Sequence, residues 1–219
     1  MSETIADQVA VLREAQAGQL PKPVLDIFTE EQAGLQRSPL PAGVITAGTS
    51  VVDTGLLDAH GQPTTLYAAT GGGPAVLVFY RGAWCPYCNI ALNTYQASLL
   101  PDLKSRGITL VAITPQKPDE SLSLTEKNAL EFPVLSDPGL KLADALGIAI
   151  TPAPEVIAAQ RQLGLDITEG NADGSTRLPM PTVIVLDAGH VARWVDVHPD
   201  YTERSETTNI LAAVDQLPA

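Results

Sequence analysis

The chain has 219 residues, a formal charge of −12, 45% apolar residues and 17% charged ones. That length suits one large domain with its own core and would cramp two. The acidic balance, with no lysine and arginine cluster, excludes a nucleic-acid partner gripped through phosphates and disfavours anionic membrane surfaces. The start, Met1 to Asp7, lacks the basic and then apolar pattern of a secretory signal, and no apolar stretch is long enough to cross a bilayer. The expected location is cytoplasmic, with no membrane partner.

Residues 3–17 place Ile5, Val9 and Leu12 at helical spacing, and 24–35 repeat the idea after Pro21 and Pro23. They predict a helical extension over 1–40 ahead of a main domain over 41–219, packed on that domain or on a second copy as a homodimer. Residues 50–57 and 64–67 flank a turn from Asp58 to Pro63 and read as a hairpin with His60 at its tip. Ala75 to Tyr80 is an apolar run that reads as a buried strand. Residues 89–100 space Ile90, Leu92, Tyr95 and Leu99 like the inner face of a helix ended by Pro101.

A second buried strand follows at 108–114, a helix from Pro118 to about Leu130, and a short strand at 132–135. Asp137 and Pro138 cap a helix over 139–146 that Gly147 stops. Pro154 to Leu163 predicts another helix, and 168–176 an exposed loop. Residues 183–186 and 191–195 form a second hairpin with His190 at its tip. Asp200 with Glu203 reads as a capping box for a final helix through about Leu217. Alternating strands and helices imply crossover connections, hence an α/β fold with a partly parallel sheet.

Cys85 and Cys88, the only cysteines, stand three positions apart between the first strand and its helix. Pro86 suits a first helical turn, whose free N–H groups favour a nearby negative charge. Cysteines in such settings have pKa values of about 3.5–7.5, against about 8.5 for a free thiol. Cys85 is expected to be the more exposed, with Cys88 reaching it from one turn further in. Arg81 adds a positive charge if its side chain turns toward the thiols, and Trp84 and Tyr87 border them. Trp194, Tyr201 and His198 read as packing or loop residues.

Two other readings of the pair stay open. A zinc site wants four ligands, and neither a second Cys-x-x-Cys nor a His-x-x-x-His spacing among His60, His190 and His198 supplies them. The thiols could also be inert core residues. In a reducing compartment a structural disulfide is unusual, which leaves a cycling one as the better use.

The strings Phe79-Tyr80-Arg81-Gly82-Ala83-Trp84-Cys85-Pro86-Tyr87-Cys88, Leu110 to Thr114, Phe132 to Asp137 and Leu142 to Ile148, in that order, resemble the peroxiredoxin family, the alkyl hydroperoxide reductase and thiol-specific antioxidant group. The resemblance covers roughly 45–215 and implies a thioredoxin-like fold, a central mixed sheet flanked by helices, with thiol-dependent reduction of peroxides. It departs in two places. The family's Pro-x-x-x-Thr/Ser-x-x-Cys frame puts Arg81 at the proline, Cys85 at the hydroxyl residue and Cys88 at the peroxide-attacking cysteine. The late arginine of the family is replaced by Leu178 to Val183, where Met180-Pro181-Thr182 is similar to the cis-proline turn of thioredoxins.

The chain thus resembles a peroxiredoxin body carrying a thioredoxin-type pair. One register names Cys88 as nucleophile; exposure and helix-start electrostatics name Cys85, the expectation adopted. Three functions follow: a peroxidase cycling a Cys85–Cys88 disulfide, reset by thioredoxin, glutaredoxin or a small thiol; a protein disulfide reductase; or a redox-sensing interaction protein. None requires a metal, flavin or haem.

Overall fold

The computed structural model describes residues 3–119 and 129–218. Its helices α1 (Ile5–Gln19) and α2 (Lys22–Arg37) precede β1 (Gly55–Leu57), β2 (Pro63–Thr65), α3 (Leu66–Thr70), β3 (Ala75–Phe79) and α4 (Pro86–Thr94). A π-helical turn, Tyr95–Leu99, leads into α5 (Leu100–Ser105), β4 (Thr109–Thr114), β5 (Val134–Ser136), α6 (Lys141–Ala145), β6 (Ala149–Ile150) and α7 (Pro154–Gln162). Then come α8 (Ile167–Gly170), β7 (Leu178–Pro179), β8 (Thr182–Leu186), β9 (Ala192–Val197) and α9 (Thr207–Val214).

The main sheet has strand order β2-β1-β5-β4-β3-β8-β9. Pairings β3–β4 and β4–β5 are parallel, while β8 runs antiparallel to both β3 and β9. Every residue of β3 and β8 is buried, as continuous apolar runs with helices on both faces require. Alternation sends Val76, Val78, Leu110, Ala112, Val183 and Val185 into one core with the thiols and α4. Leu77, Phe79, Val111, Ile113, Ile184 and Leu186 enter the other. This is the expected mixed, thioredoxin-like sheet.

The helical extension lies on the thiol side. Thr4 and Asp7 form a capping box at the start of α1. Glu206, at the start of α9, accepts from the backbone N–H groups of Ile5 and Ala6, putting a carboxylate where the α1 dipole is positive. Ile5 and Val9 then enter the core beside α4, and α2 packs on α7.

Several local expectations change. The helix after the thiols passes through Pro101 instead of ending there: the Leu100 N–H donates to Tyr95 O, a wide turn that accommodates a residue lacking its own donor. Residues 66–70 form a helix, not a strand end. The stretch 168–176 holds the end of α8 and a fully buried Asn171, whose amide donates to the carbonyls of Ser175 and Arg177 at 2.9 Å each. Asp200 caps no helix; it accepts from the Thr202 N–H and hydroxyl, and α9 starts further on at Thr207, with Glu206 as its N-cap. The expected helix beginning at Pro118 lies largely outside the described residues.

Candidate active site

The thiols sit where β3 hands the chain to α4. Tyr80 N donates to Ile113 O, continuing the ladder to the last residue before the loop. The Arg81–Trp84 loop is then held from two sides: Ala83 N donates to Gln116 Oε1 at 2.6 Å, and Asn89 Nδ2 donates to Ala83 O at 2.9 Å. Gly82 is required here, because a Cβ would lie 2.5 Å from Trp84 Nε1 and 2.8 Å from Gln116 Cδ. Cys85 is the α4 N-cap and Pro86 follows as its first helical residue; Cys88 N and Asn89 N both donate to Cys85 O at 3.1 Å. Both thiols are reduced.

Cys85 is 1% exposed and Cys88 0%, so both thiols are buried and Cys85 is the more exposed of the two only by a narrow margin. The strongest charge on the pair comes from Arg204, a partly buried residue between β9 and α9. Its Nη2 lies 3.0 Å from Cys88 Sγ and 3.9 Å from Cys85 Sγ. Its other arm donates to the carbonyls of Tyr201 and Glu203, so the guanidinium is fixed before any chemistry starts. Burial pushes the Cys88 thiol up, but the Cys85 S–H, the Arg204 guanidinium and the Arg81 backbone N–H all favour the thiolate, and the net result is well below the usual thiol range. For Cys85, burial and the neighbouring Cys88 sulfur act together and push it well above. The expected order of acidity is therefore reversed. The surroundings favour the negative charge on Cys88, the sulfur nearer the Arg204 guanidinium, over Cys85.

Arg81 is 4% exposed, and its guanidinium carbon lies 3.9 Å from the ring centre of Tyr201 and 5.1 Å from that of Trp84. It assists both thiolates less than Arg204 does. Tyr201 in turn donates to Glu31 Oε2 at 2.9 Å and receives Gln32 Nε2 at 3.3 Å, which pins α2 over the site. Tyr87 OH donates to Gln16 Oε1 at 2.7 Å and pins α1.

The two sulfurs border different spaces. Cys85 lines a cavity of ≈ 360 Å³ roofed by α1 and α2 and walled by Trp84, Tyr87, Tyr201 and residues of α7. Cys88 lines a recess of ≈ 10 Å³ beside Pro181, Thr182, His198 and Arg204. Pro181 thus does face the pair, but the Met180–Pro181 bond is trans, not cis as expected. Backbone bonds from Met180 N to Ile148 O and from His198 N to Pro181 O hold this stretch extended into β8.

Residues 47–195 match the AhpC/TSA family. The chain belongs to that family. It is 28% identical over 112 residues to the thiol-disulfide oxidoreductase ResA of Halalkalibacterium halodurans, covering 51% of this chain and 62% of that one. It is 30% identical over 103 residues to a Mycobacterium tuberculosis protein named as a peroxiredoxin, covering 47% and 64%. The chain therefore spans less than two thirds of the length of either relative. The crystal structure of peroxidoxin BcpB from Mycobacterium tuberculosis shares the fold, with a TM-score of 0.61 and 20% identity over 80% of this chain and 99% of that one.

Within this AhpC/TSA chain, the structure brings four sequence-identified residues, Arg81, Trp84, Cys85 and Cys88, together with Pro181. Sequence reading missed Arg204 and Tyr201. His198, read as a loop residue, borders the recess, its Nε2 3.0 Å from Asp196 Oδ2. His60 is exposed, and His190 stacks on Tyr67 at 3.6 Å, away from the thiols. Among the described residues no group of three or more His, Cys, Asp or Glu could hold a metal ion, and no helix is long and apolar enough to cross a membrane.

Proposed function

We propose that this protein is a thiol-dependent peroxidase acting through a Cys85–Cys88 dithiol–disulfide cycle. The observation that carries this is the fixed Arg204 guanidinium 3.0 Å from Cys88 Sγ, beside a second thiol that donates to the same sulfur. Family membership supplies the reaction class. The Cys88 thiolate attacks the terminal oxygen of a hydroperoxide; an S–O bond forms, the O–O bond breaks, and the alkoxide or hydroxide leaves and takes a proton. Cys85 loses its proton and attacks Cys88 Sγ, forming the disulfide and releasing hydroxide, which is protonated to water. An external thiol then returns two electrons by exchange.

The narrow recess at Cys88 is close to the ~10–15 Å³ that one water needs. A space of that size favours the smallest substrate, hydrogen peroxide, and an alkyl hydroperoxide reacts only if the recess widens. Pro181 and Trp84 shape access, and Arg81 adds positive charge. A cycling pair of this kind belongs in a reducing compartment, in keeping with a cytoplasmic location. The test is peroxide consumption by purified protein with a thiol reductant. The reading requires consumption well above that of a Cys85→Ser/Cys88→Ser variant, and equal rates refute it.

The likeness to ResA favours a second reading, reduction of protein disulfides. It predicts rapid insulin reduction with slow peroxide turnover. The burial of both sulfurs weighs against it.

A further inference from the structure

The cavity beside Cys85 has no part in the oxidation step, which takes place on the other sulfur. Its roof, α1 and α2, lies outside the segment that matches the family. At ≈ 360 Å³ it falls in the size class of small-molecule sites, roughly 300–1,000 Å³. Leu20, Leu25 and Phe28 give it an apolar ceiling, whereas the two charged residues that line it, Arg13 at the exposed rim and the buried Arg81, are both cationic. Among the described residues no carboxylate pairs with either arginine within 4.0 Å; Glu31, which accepts from Tyr201, feels the Arg81 charge from further off, and Arg13 at the rim has no acidic partner.

We propose that this cavity is the reductant's site, and that the reductant is a low-molecular-weight anionic thiol that attacks Cys85 Sγ, not a protein dithiol. This rests on the disulfide cycle proposed above. Thiol–disulfide exchange needs the incoming sulfur in contact with the one attacked, in line with the S–S bond. A helix with its side chains is about 10–12 Å across. Residues of two, α1 and α2, line the cavity over Cys85, which is itself only 1% exposed, and the helices are tied down through Gln16, Glu31 and Gln32. A cysteine on the surface of a folded partner does not reach beneath them, whereas a small thiol enters at the Arg13 rim.

The chemistry selects the same sulfur. Attack on Cys85 expels Cys88, the thiolate that Arg204 stabilises, and the better leaving group leaves faster. The incoming thiolate forms an S–S bond to Cys85 as the Cys85–Cys88 bond breaks and Cys88 departs with the electron pair. A second thiolate then attacks the external sulfur of the mixed disulfide. Cys85 leaves, takes a proton, and the small disulfide diffuses out, so two thiols supply the two electrons.

The test begins from protein oxidised with diamide, so that it does not depend on peroxide reactivity. Reduction is followed with 3-mercaptopropionate, 2-mercaptoethanol and cysteamine, each corrected to its thiolate concentration, and with a purified thioredoxin. The expected order is anionic, then neutral, then cationic, with thioredoxin slower than 3-mercaptopropionate mole for mole. Arg13→Glu should cut the preference for the anionic over the cationic thiol about fivefold. Phe28→Trp, which fills the cavity, should slow all three small thiols. Faster reduction by thioredoxin, or no change in the anionic preference with Arg13→Glu, overturns the proposal. If diamide closes the pair but peroxide does not, the peroxidase reading fails while this one is still decided by the same rates. If diamide closes no disulfide, both fall.

Discussion

On the Cys88 side of the pair, hydrogen-bonding and cationic neighbours outweigh the cost of burial and almost no space is left; on the Cys85 side, space is ample and charge is discouraged. Cys88 has a guanidinium at 3.0 Å and opens on ≈ 10 Å³, whereas Cys85 is 3.9 Å from the same group and opens on ≈ 360 Å³. Two identical side chains are thus given different acidities by their mutual hydrogen bond and an arginine nearer to one of them, and different neighbours by two helices. The difference divides the labour: one sulfur meets the oxidant, and the other meets the reductant.

The largest expected effect tests that division. Cys88→Ser should bring peroxide turnover down to that of the protein without either thiol, while Cys85→Ser should keep a single rapid oxidation and lose only the catalytic cycle; stopped-flow kinetics with limiting peroxide separates the two. Next, Arg204→Met removes a hydrogen bond to a charged group, worth about 1.5–3 kcal/mol. Oxidation by peroxide at neutral pH should fall about tenfold to a hundredfold. A loss of less than twofold would mean that the cation does not set the asymmetry.

The pH dependence of stability follows from the lowered Cys88 value. A group depressed in the fold stabilises it at high pH and loses that contribution as pH falls through the folded pKa. Cys85, pushed the other way, withdraws some of the gain once pH passes the ordinary thiol range near ~8.5. The reduced protein should therefore weaken relative to the oxidised one as pH falls from the ordinary thiol range toward the lowered Cys88 value. Urea midpoints of both forms across pH check this, and parallel curves would remove the thiolate from the account. The smallest effect is on the roof. Tyr201→Phe strips the hydroxyl that Glu31 and Gln32 share and should cost about 1 kcal/mol in urea unfolding, with disulfide reduction by small thiols quickened.

What sequence reading captured was local. The apolar run 75–80, Pro86 at a helix start and the alternation of strands and helices carry the fold and bring the thiols to a strand-to-helix junction. What it missed was made by distance along the chain. Arg204 is 116 residues from Cys88 and meets it only because β9 returns beside β8 and turns sharply at Asp200. That turn looked like a helix cap because Asp200 and Glu203 have the right spacing, yet their bonds go elsewhere. The burial of both thiols was missed for the same reason: nothing in the first forty residues says which surface their apolar face covers. Trans Pro181 is a further case, since its neighbours just before β6 and just after β9 decide the path of the backbone.

The most direct test is to locate the first oxidised sulfur. Each single serine variant would receive one equivalent of hydrogen peroxide in the presence of a sulfenic-acid trap, followed by peptide mass spectrometry. The account predicts a trapped adduct on Cys88 in Cys85→Ser and next to none on Cys85 in Cys88→Ser. An adduct forming on Cys85 as fast as on Cys88, or on Cys85 alone, would contradict it.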